Sequence, residues 1–444
     1  MQRRKSIFLI TLVLISAVCT GPVRAEDPPR FPLRDGDTWV MAGDSITAQH
    51  LHSNYFEAFC YARYPKLTFR FRNSGVGGDT IPRVLARYDW DVAAWHPTVV
   101  SVELGMNDKG PFSIEQYIEN MGKLYDKITT SNARPVYFAA SPVNDGSTSA
   151  KPSGGDAKLD EYAKALEKFA EQKKAPFADQ FHQLFDVWGK NKPNEPKADA
   201  VDAVKKAVKT EGLAGVEHLK AFLDEQAKQK NQPVSMQGDP VHPGPNGQLM
   251  MAAALLKGLG ARATVSSVVI DGATGKVLAA KGCAVEELPV KETGVLAHER
   301  LDESLPFPIP DDARAVLAFD PTILNLSQYT LTASGLKGEY KIIVNGAPLG
   351  TATAKELENG VNLTVFDKGP IAEQGKQILA AVSAKEGLVG QWRAIAKAAT
   401  ASDAPADLKQ KFDDLTKKVE DADAKIREAA KPKKLRFELV PAKA

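Results

Sequence analysis

Between Asp37 and about Leu259, short β-branched runs alternate with amphipathic stretches of helical length, and few folds accept that alternation. The most constraining run is Thr98-Val99-Val100-Ser101-Val102-Glu103-Leu104. It is mostly apolar, as strands buried on both faces tend to be, so it reads as the centre of a parallel sheet. Trp39-Val40-Met41-Ala42 precedes it as a first strand, and Leu67 to Arg72 as a second. Pro135 to Ala140 and Pro176 to Asp179 follow as a fourth and a fifth. Between them Tyr55 to Tyr64, Ile114 to Thr130 and Leu159 to Lys173 read as crossover helices, with Asn246 to Leu259 closing the unit. Strand and helix in strict turn imply an α/β domain with helices on both sheet faces. A Lys/Ala/Glu-rich stretch, residues 190–230, reads as a helical insertion, either a solvated pair or a wall over the site.

Past Ala263 the pattern changes. Val265 to Ile270, Ala315 to Ala318, Tyr329 to Ala333 and Tyr340 to Val344 are β-like runs separated by Gly, Pro and Asp, and Asn345-Gly346 is a hairpin turn signal. Residues 264–366 therefore read as a small β domain, a sandwich. Residues 367–444 read as a helical hairpin region with a terminal strand at Leu435 to Val440. Leu408, Phe412, Leu415, Val419, Ala422 and Ile426 recur at steps of three and four, a narrow apolar seam suited to folding back on Ile378 to Ala399.

Four motifs carry chemistry. Gly43-Asp44-Ser45 directly follows the first strand, which exposes the Ser45 hydroxyl at the carboxyl edge of the sheet, where ligands bind in open α/β sheets. Asn73-Ser74-Gly75-Val76-Gly77-Gly78-Asp79-Thr80 is a glycine-rich loop whose backbone N–H groups are free to approach a substrate. No lysine follows it at phosphate-loop spacing, and its place after the second strand is wrong for a dinucleotide fingerprint. Gly105-Met106-Asn107-Asp108 places a neutral amide donor after the third strand, suited to a developing oxyanion. Asp239-Pro240-Val241-His242 pairs an imidazole with a carboxylate three residues earlier, stiffened by proline. Asp239 and His242 alone make no metal site, and nothing in the chain calls for a cofactor. His50 and His52 lie near Ser45 without an acid partner legible in the sequence. His96, His182, His218 and His298 have no chemical context there.

In this order the four motifs resemble blocks I, II, III and V of the SGNH (GDSL-type) hydrolases. The resemblance covers Asp37 to about Leu259 and implies a flavodoxin-like three-layer fold, residues 26–263. It places the nucleophile on Ser45, the acid and base on Asp239 and His242, and the oxyanion hole on Ser45, Gly78 and Asn107. Ile46 stands where the family usually has leucine, a volume-conserving departure. The expected activity is carboxylic ester hydrolysis.

The expected setting is export. Residues 1–25 combine a basic start, an apolar run from Ile7 to Val18, and Val23-Arg24-Ala25 as a cleavage site. Lipid attachment through Cys19 fits this signal poorly. No later segment is long and apolar enough to cross a membrane. The whole chain carries +2, but the leader holds Arg3, Arg4, Lys5 and Arg24 and no acid, so its removal leaves no basic excess to suggest nucleic acid. Cys60 and Cys283 fall in different putative domains and are expected as separate thiols. An exported esterase with an appended β domain points to O-acetylated polysaccharide or oligosaccharide as substrate. The alternatives are a lipase, lysophospholipase or thioesterase, or a non-catalytic surface binding protein built on the same scaffold.

Overall fold

The structure, a computed structural model, describes residues 31–143, 151–185, 209, 239–289, 294–318 and 320–442. The expected leader lies outside these residues, as does the 190–230 insertion apart from residue 209.

Five strands form a parallel sheet in the order β2-β1-β3-β4-β5: β1 (Thr38–Gly43), β2 (Arg70–Gly75), β3 (Val99–Glu103), β4 (Arg134–Phe138) and β5 (Phe177–Ala178). Alternate residues of one strand feed two cores. Trp39 and Met41 face one, and Val40 and Ala42 the other. Burial on both faces is what the apolar central runs require. α2 (His52–Arg63), α6 (Gln180–Leu184) and α7 (Pro245–Gly258) cover the first face. α3 (Ile81–Asp91), α4 (Ile114–Thr130) and α5 (Gly155–Lys173) cover the second, while the short α1 (Ser45–Ala48) leads out of β1. α4 begins with a capping box in which Ser113 and Gln116 satisfy each other's backbone N–H. This is the flavodoxin-like three-layer arrangement.

The second strand departs from expectation, running from Arg70 to Gly75 rather than from Leu67 to Arg72. Asn73, Ser74 and Gly75 pair in register with Met41, Ala42 and Gly43. Their polarity is tolerated because each side chain is bonded inside the fold, Asn73 to the Thr47 carbonyl at 2.7 Å and Ser74 to Asp91 at 2.9 Å.

Two more sheets follow. One runs β13-β10-β6-β7, from β6 (Thr264–Asp271), β7 (Val277–Lys281), β10 (Gln328–Ser334) and β13 (Val361–Asn362). The other runs β12-β11-β14-β9-β8, from β8 (Cys283–Glu287), β9 (Leu296–Asp302), β11 (Glu339–Val344), β12 (Ala347–Thr353) and β14 (Lys434–Pro441). They share one apolar core that includes Val268, Leu331, Ile342 and Phe437. Asn345-Gly346 closes the β11–β12 hairpin as its sequence indicated. The run Ala315 to Ala318 is not a strand. It belongs to a 3-10 helix, Asp311–Ala318, in which Ala313, Val316 and Leu317 bury on the first core of the α/β unit. Short helices α8 (Pro321–Asn325) and α9 (Ala354–Asn359) complete the connections.

α10 (Gly369–Ala399) and α11 (Ala406–Ala429) form the helical hairpin, and Leu415, Val419, Ala422 and Ile426 of the apolar seam are buried. The hairpin lies against the β2 side of the α/β unit. α10 sends Ile378 and Val382 into the first core, and Val389, Trp392 and Ala396 into the second. Trp392 stacks on Trp95 with ring centroids 3.6 Å apart. Cys60 is buried and Cys283 half-buried, both as free thiols. No helix among the described residues is long and apolar enough to cross a membrane.

Candidate active site

The four motifs meet at the carboxyl end of the parallel sheet. Asp44 caps α1, its carboxylate accepting the Ile46 N–H at 3.0 Å, so Ser45 opens the helix with its side chain partly exposed. Gly75 packs so closely on this turn that a Cβ there would lie 2.4 Å from the Ala48 nitrogen. The first two motifs are thereby pressed together. Gly78 has φ +72°, the left-handed region that favours glycine, and it is exposed, as is Gly77.

His242 bridges the fourth motif to the first. Its Nε2 lies 2.8 Å from the Ser45 hydroxyl oxygen, and its Nδ1 lies 2.8 Å from Asp239 Oδ2 and 3.0 Å from Oδ1. The Asp239 carboxylate accepts from Nδ1–H, which leaves Nε2 as the acceptor for the serine proton. Asp239 Oδ1 also accepts the N–H groups of Val241 and His242, each at 2.8 Å. The backbone bond from His242, followed by that residue's ring, holds the Asp239 carboxyl below its ordinary value.

Asn107 donates from Nδ2 to the Asp79 carbonyl at 3.0 Å, and only loosely to Asp44 Oδ2, at 3.5 Å. The second amide hydrogen is the one a ligand can take. Asp108 accepts the Ile81 N–H at 3.0 Å, tying the third motif to the helix that follows the second. Burial raises the Asp108 carboxyl to about 6. Burial and then the nearby Glu103 raise Asp44 to about 7. A hydroxyl, an imidazole and a carboxylate in series, beside a backbone turn and a neutral amide, can move a proton and hold an oxyanion.

His50 and His52 do have acid partners, against the expectation from sequence. His50 Nδ1 lies 3.3 Å from Glu386 on α10, and His52 Nε2 lies 2.9 Å from Glu103 on β3. His182, also without context in the sequence, lies between Asp179 and Asp160 at 2.6 and 2.7 Å. Glu386, Glu103 and Asp160 are remote in sequence or on another element, so no local string advertises them.

The His52 pair reaches the fourth motif through Gln248. Gln248 Nε2 donates to the Pro243 carbonyl at 2.9 Å, a group that can only accept. Its Oε1 therefore faces His52, whose backbone N–H donates to it at 2.9 Å with the ring Nδ1 3.1 Å away. Both ring nitrogens of His52 then face acceptors, and the ring is held as an imidazolium. Burial opposes that charge, but Glu103 outweighs it and raises the His52 pKa. Burial likewise opposes the Glu103 carboxylate, and His52 outweighs it to lower the Glu103 pKa.

The stability consequence has a definite sign. The contribution of His52 is complete below its unfolded value near 6.5 and is lost as pH rises through the higher folded value. That of Glu103 is complete above its unfolded value near 4.5 and is lost as pH falls through the lower folded one. The pair supports the fold most between those two pH values. Thermal melts from pH 6 to 9 should show a fall in Tm that is shallower when His52→Gln and Glu103→Gln are combined. An unchanged slope would exclude an imidazolium at position 52.

Among the described residues, no group of three or more His, Cys, Asp or Glu side chains is placed to hold a metal ion.

The family model of the GDSL-like Lipase/Acylhydrolase family matches residues 41–249, a span that contains all four motifs. The chain carries a GDSL-like hydrolase domain. It is a carboxylic ester hydrolase. No curated protein matches the chain. Among solved structures, a gut microbial diltiazem-metabolizing enzyme is similar with TM-score 0.68 and 20% identity, covering 94% of this chain and 100% of that one. Its fold is thus shared well beyond the GDSL-like domain. An acetylxylan esterase from Geobacillus stearothermophilus is 20% identical with TM-score 0.37, over 52% of this chain and 99% of its own. An alpha/beta hydrolase enzyme from the metagenome of Lake Arreo, Spain, is 18% identical with TM-score 0.36, over 51% of this chain and 97% of its own.

Proposed function

We propose that this esterase works by acyl transfer through Ser45, with His242 as general base and Asp239 orienting the imidazole. The observation that carries the reading is the unbroken series from Asp239 through His242 to the Ser45 hydroxyl, with 2.8 Å at each step. Ser45 attacks the ester carbonyl as its proton passes to Nε2. The N–H groups of Ser45 and Gly78 and the Asn107 amide hold the tetrahedral oxyanion. His242 then protonates the departing alcohol, and water repeats the cycle on the acyl-enzyme. Asp239 keeps the ring in the tautomer that accepts.

For the substrate we propose an O-acetylated carbohydrate met outside the cell after export. The residue types in and beside the motifs favour a small acyl group on a polar alcohol. Gly77 and Gly78 present no side chain. Gln49, His50, Arg83 and Lys109 put polar groups on the elements that carry the motifs. Long acyl chains need an apolar groove to bury them, at about 0.8 kcal/mol per CH₂.

The test compares acetate release from acetylated xylan and xylo-oligosaccharides with hydrolysis of p-nitrophenyl acetate and p-nitrophenyl palmitate. Peptide mapping after fluorophosphonate labelling accompanies it. Acetate release, label on Ser45 and slow palmitate cleavage are expected. Label elsewhere removes the nucleophile assignment, and faster palmitate cleavage removes the carbohydrate one.

A further inference from the structure

β2 is an edge strand, so one side of its backbone has no neighbouring strand to satisfy it. The helical hairpin supplies what a sixth strand would have. The Phe69 carbonyl, just before β2, accepts from Arg427 of α11 at 3.3 Å. The Phe71 carbonyl accepts from Lys385 of α10 at 3.0 Å, and the Gly75 carbonyl accepts from Arg393 of α10 at 3.0 Å. The accepting residues are odd-numbered, as one edge of a strand requires. Their spacing matches the helix: eight residues from Lys385 to Arg393 rise about 12 Å. Four residues from Phe71 to Gly75 span about 13 Å.

Arg393 also reaches further. Its Nε and Nη2 clasp both oxygens of Asp91 at 2.6 and 2.8 Å, while Nη1 holds Gly75. Asp91 in turn pairs with Arg87, and Arg87 donates to the Ser74 carbonyl and to Asp79, each at 2.7 Å. Charges alternate along Arg393, Asp91, Arg87 and Asp79, with side-chain exposures of 17, 0, 8 and 3%. This series grips the glycine loop at both ends, at Ser74 and Gly75 before it and at Asp79 after it. Between those grips Gly77 has nothing within 4 Å of where a Cβ would stand, and Gly78 meets only Arg83. Inside the loop the Val76 N–H donates to the Gly43 carbonyl at 3.1 Å, the Asp79 N–H to the Val76 carbonyl at 3.2 Å, and the exposed Arg83 to the Gly78 carbonyl at 3.0 Å. With only these light ties of its own, the loop depends on the buried anchors at its two ends.

We infer that Arg393, from the helical hairpin far outside the family-matched span, is a positioning residue that aims the Gly78 N–H at the oxyanion. The inference rests on the reading of Gly78 as an oxyanion donor. A misplacement of about 1 Å at such a donor costs on the order of a hundredfold in rate.

The experiment measures kcat, KM and Tm on p-nitrophenyl acetate for Arg393→Met, Arg393→Lys, Val389→Ala and Asn107→Ala in the full chain. Val389 is buried one turn away on the same helix and makes no polar bond to the loop, so it reports what loosening the hairpin does by itself. Arg393→Met should lose about tenfold to a hundredfold in kcat with KM within about threefold. Arg393→Lys should recover part of it, because one ammonium cannot serve Asp91 and Gly75 as the fork does. Val389→Ala should lower Tm and leave kcat within about twofold, as distant packing changes do. Should Arg393→Met fail to fold, a kcat loss in Arg393→Lys beyond that of Val389→Ala supports the positioning role in its place. Full kcat in both Arg393 variants, or losses equal to that of Val389→Ala, would overturn the inference. If Asn107→Ala also keeps full kcat, the oxyanion reading itself has failed. If Asn107→Ala is impaired and the Arg393 variants are not, only the positioning role has.

Discussion

Ser45→Ala should lower kcat by about a millionfold on any ester the protein turns over, and His242→Ala by a similar factor. In the proposed mechanism the two act as one unit, since a serine hydroxyl is a poor nucleophile until a base such as Nε2, 2.8 Å away, takes its proton. The double variant should therefore be no slower than either single one. Asp239→Asn should cost about 10⁴. That substitution keeps the shape but removes the obligate acceptor at 2.8 Å from Nδ1, so the ring is free to turn its proton toward the serine. Steady-state assays on p-nitrophenyl acetate, with circular dichroism to establish folding, are sufficient. A Ser45→Ala protein within tenfold of the parent rate refutes the nucleophile.

Asn107→Ala should reduce kcat by about 10²–10³, equivalent to about 3–4 kcal/mol of transition-state stabilisation, with little change in KM. One amide hydrogen is held by the Asp79 carbonyl at 3.0 Å and the other only loosely by Asp44 at 3.5 Å, so in the proposed mechanism the second is the one that strengthens as charge develops on the substrate oxygen. Asn107→Asp should be at least as damaging, because it puts a carboxylate where the oxyanion must form, next to buried Asp44. A large rise in KM at constant kcat would instead mark Asn107 as a ground-state binding group.

The parallel sheet and the four motifs were legible because their information is local. Val99 to Glu103 announces a central place by being mostly apolar, and Asp239 and His242 stand within one turn of chain. The supporting shell was not legible. Nothing local marks Lys385-Glu386, yet their side chains are 0 and 4% exposed, and Lys385 bonds Glu57 at 2.8 Å. Gln248, Glu103 and Arg393 are single polar residues whose partners lie tens to hundreds of positions away. Only the folded chain brings them together. β2 runs past its expected end for a related reason, since polar Asn73 and Ser74 mimic a loop unless their buried partners are known. Ala315 to Ala318 carries residues that suit a strand but belongs to a 3-10 helix packed on the α/β core, where tertiary burial overrode local preference.

β14 lies between β9 and β11, although its first residue, Lys434, comes 132 positions after Asp302 at the end of β9. Until that late segment arrives, two strands face each other across an empty slot, each with a raw edge open to a wrong neighbour. Closing so long a loop is entropically slow. The hairpin that precedes β14 docks on the α/β unit and leaves Ala429 a few residues from where β14 begins. One C-terminal stretch thus serves both halves of the molecule: its helices steady the glycine loop, and its strand fills the gap between β9 and β11.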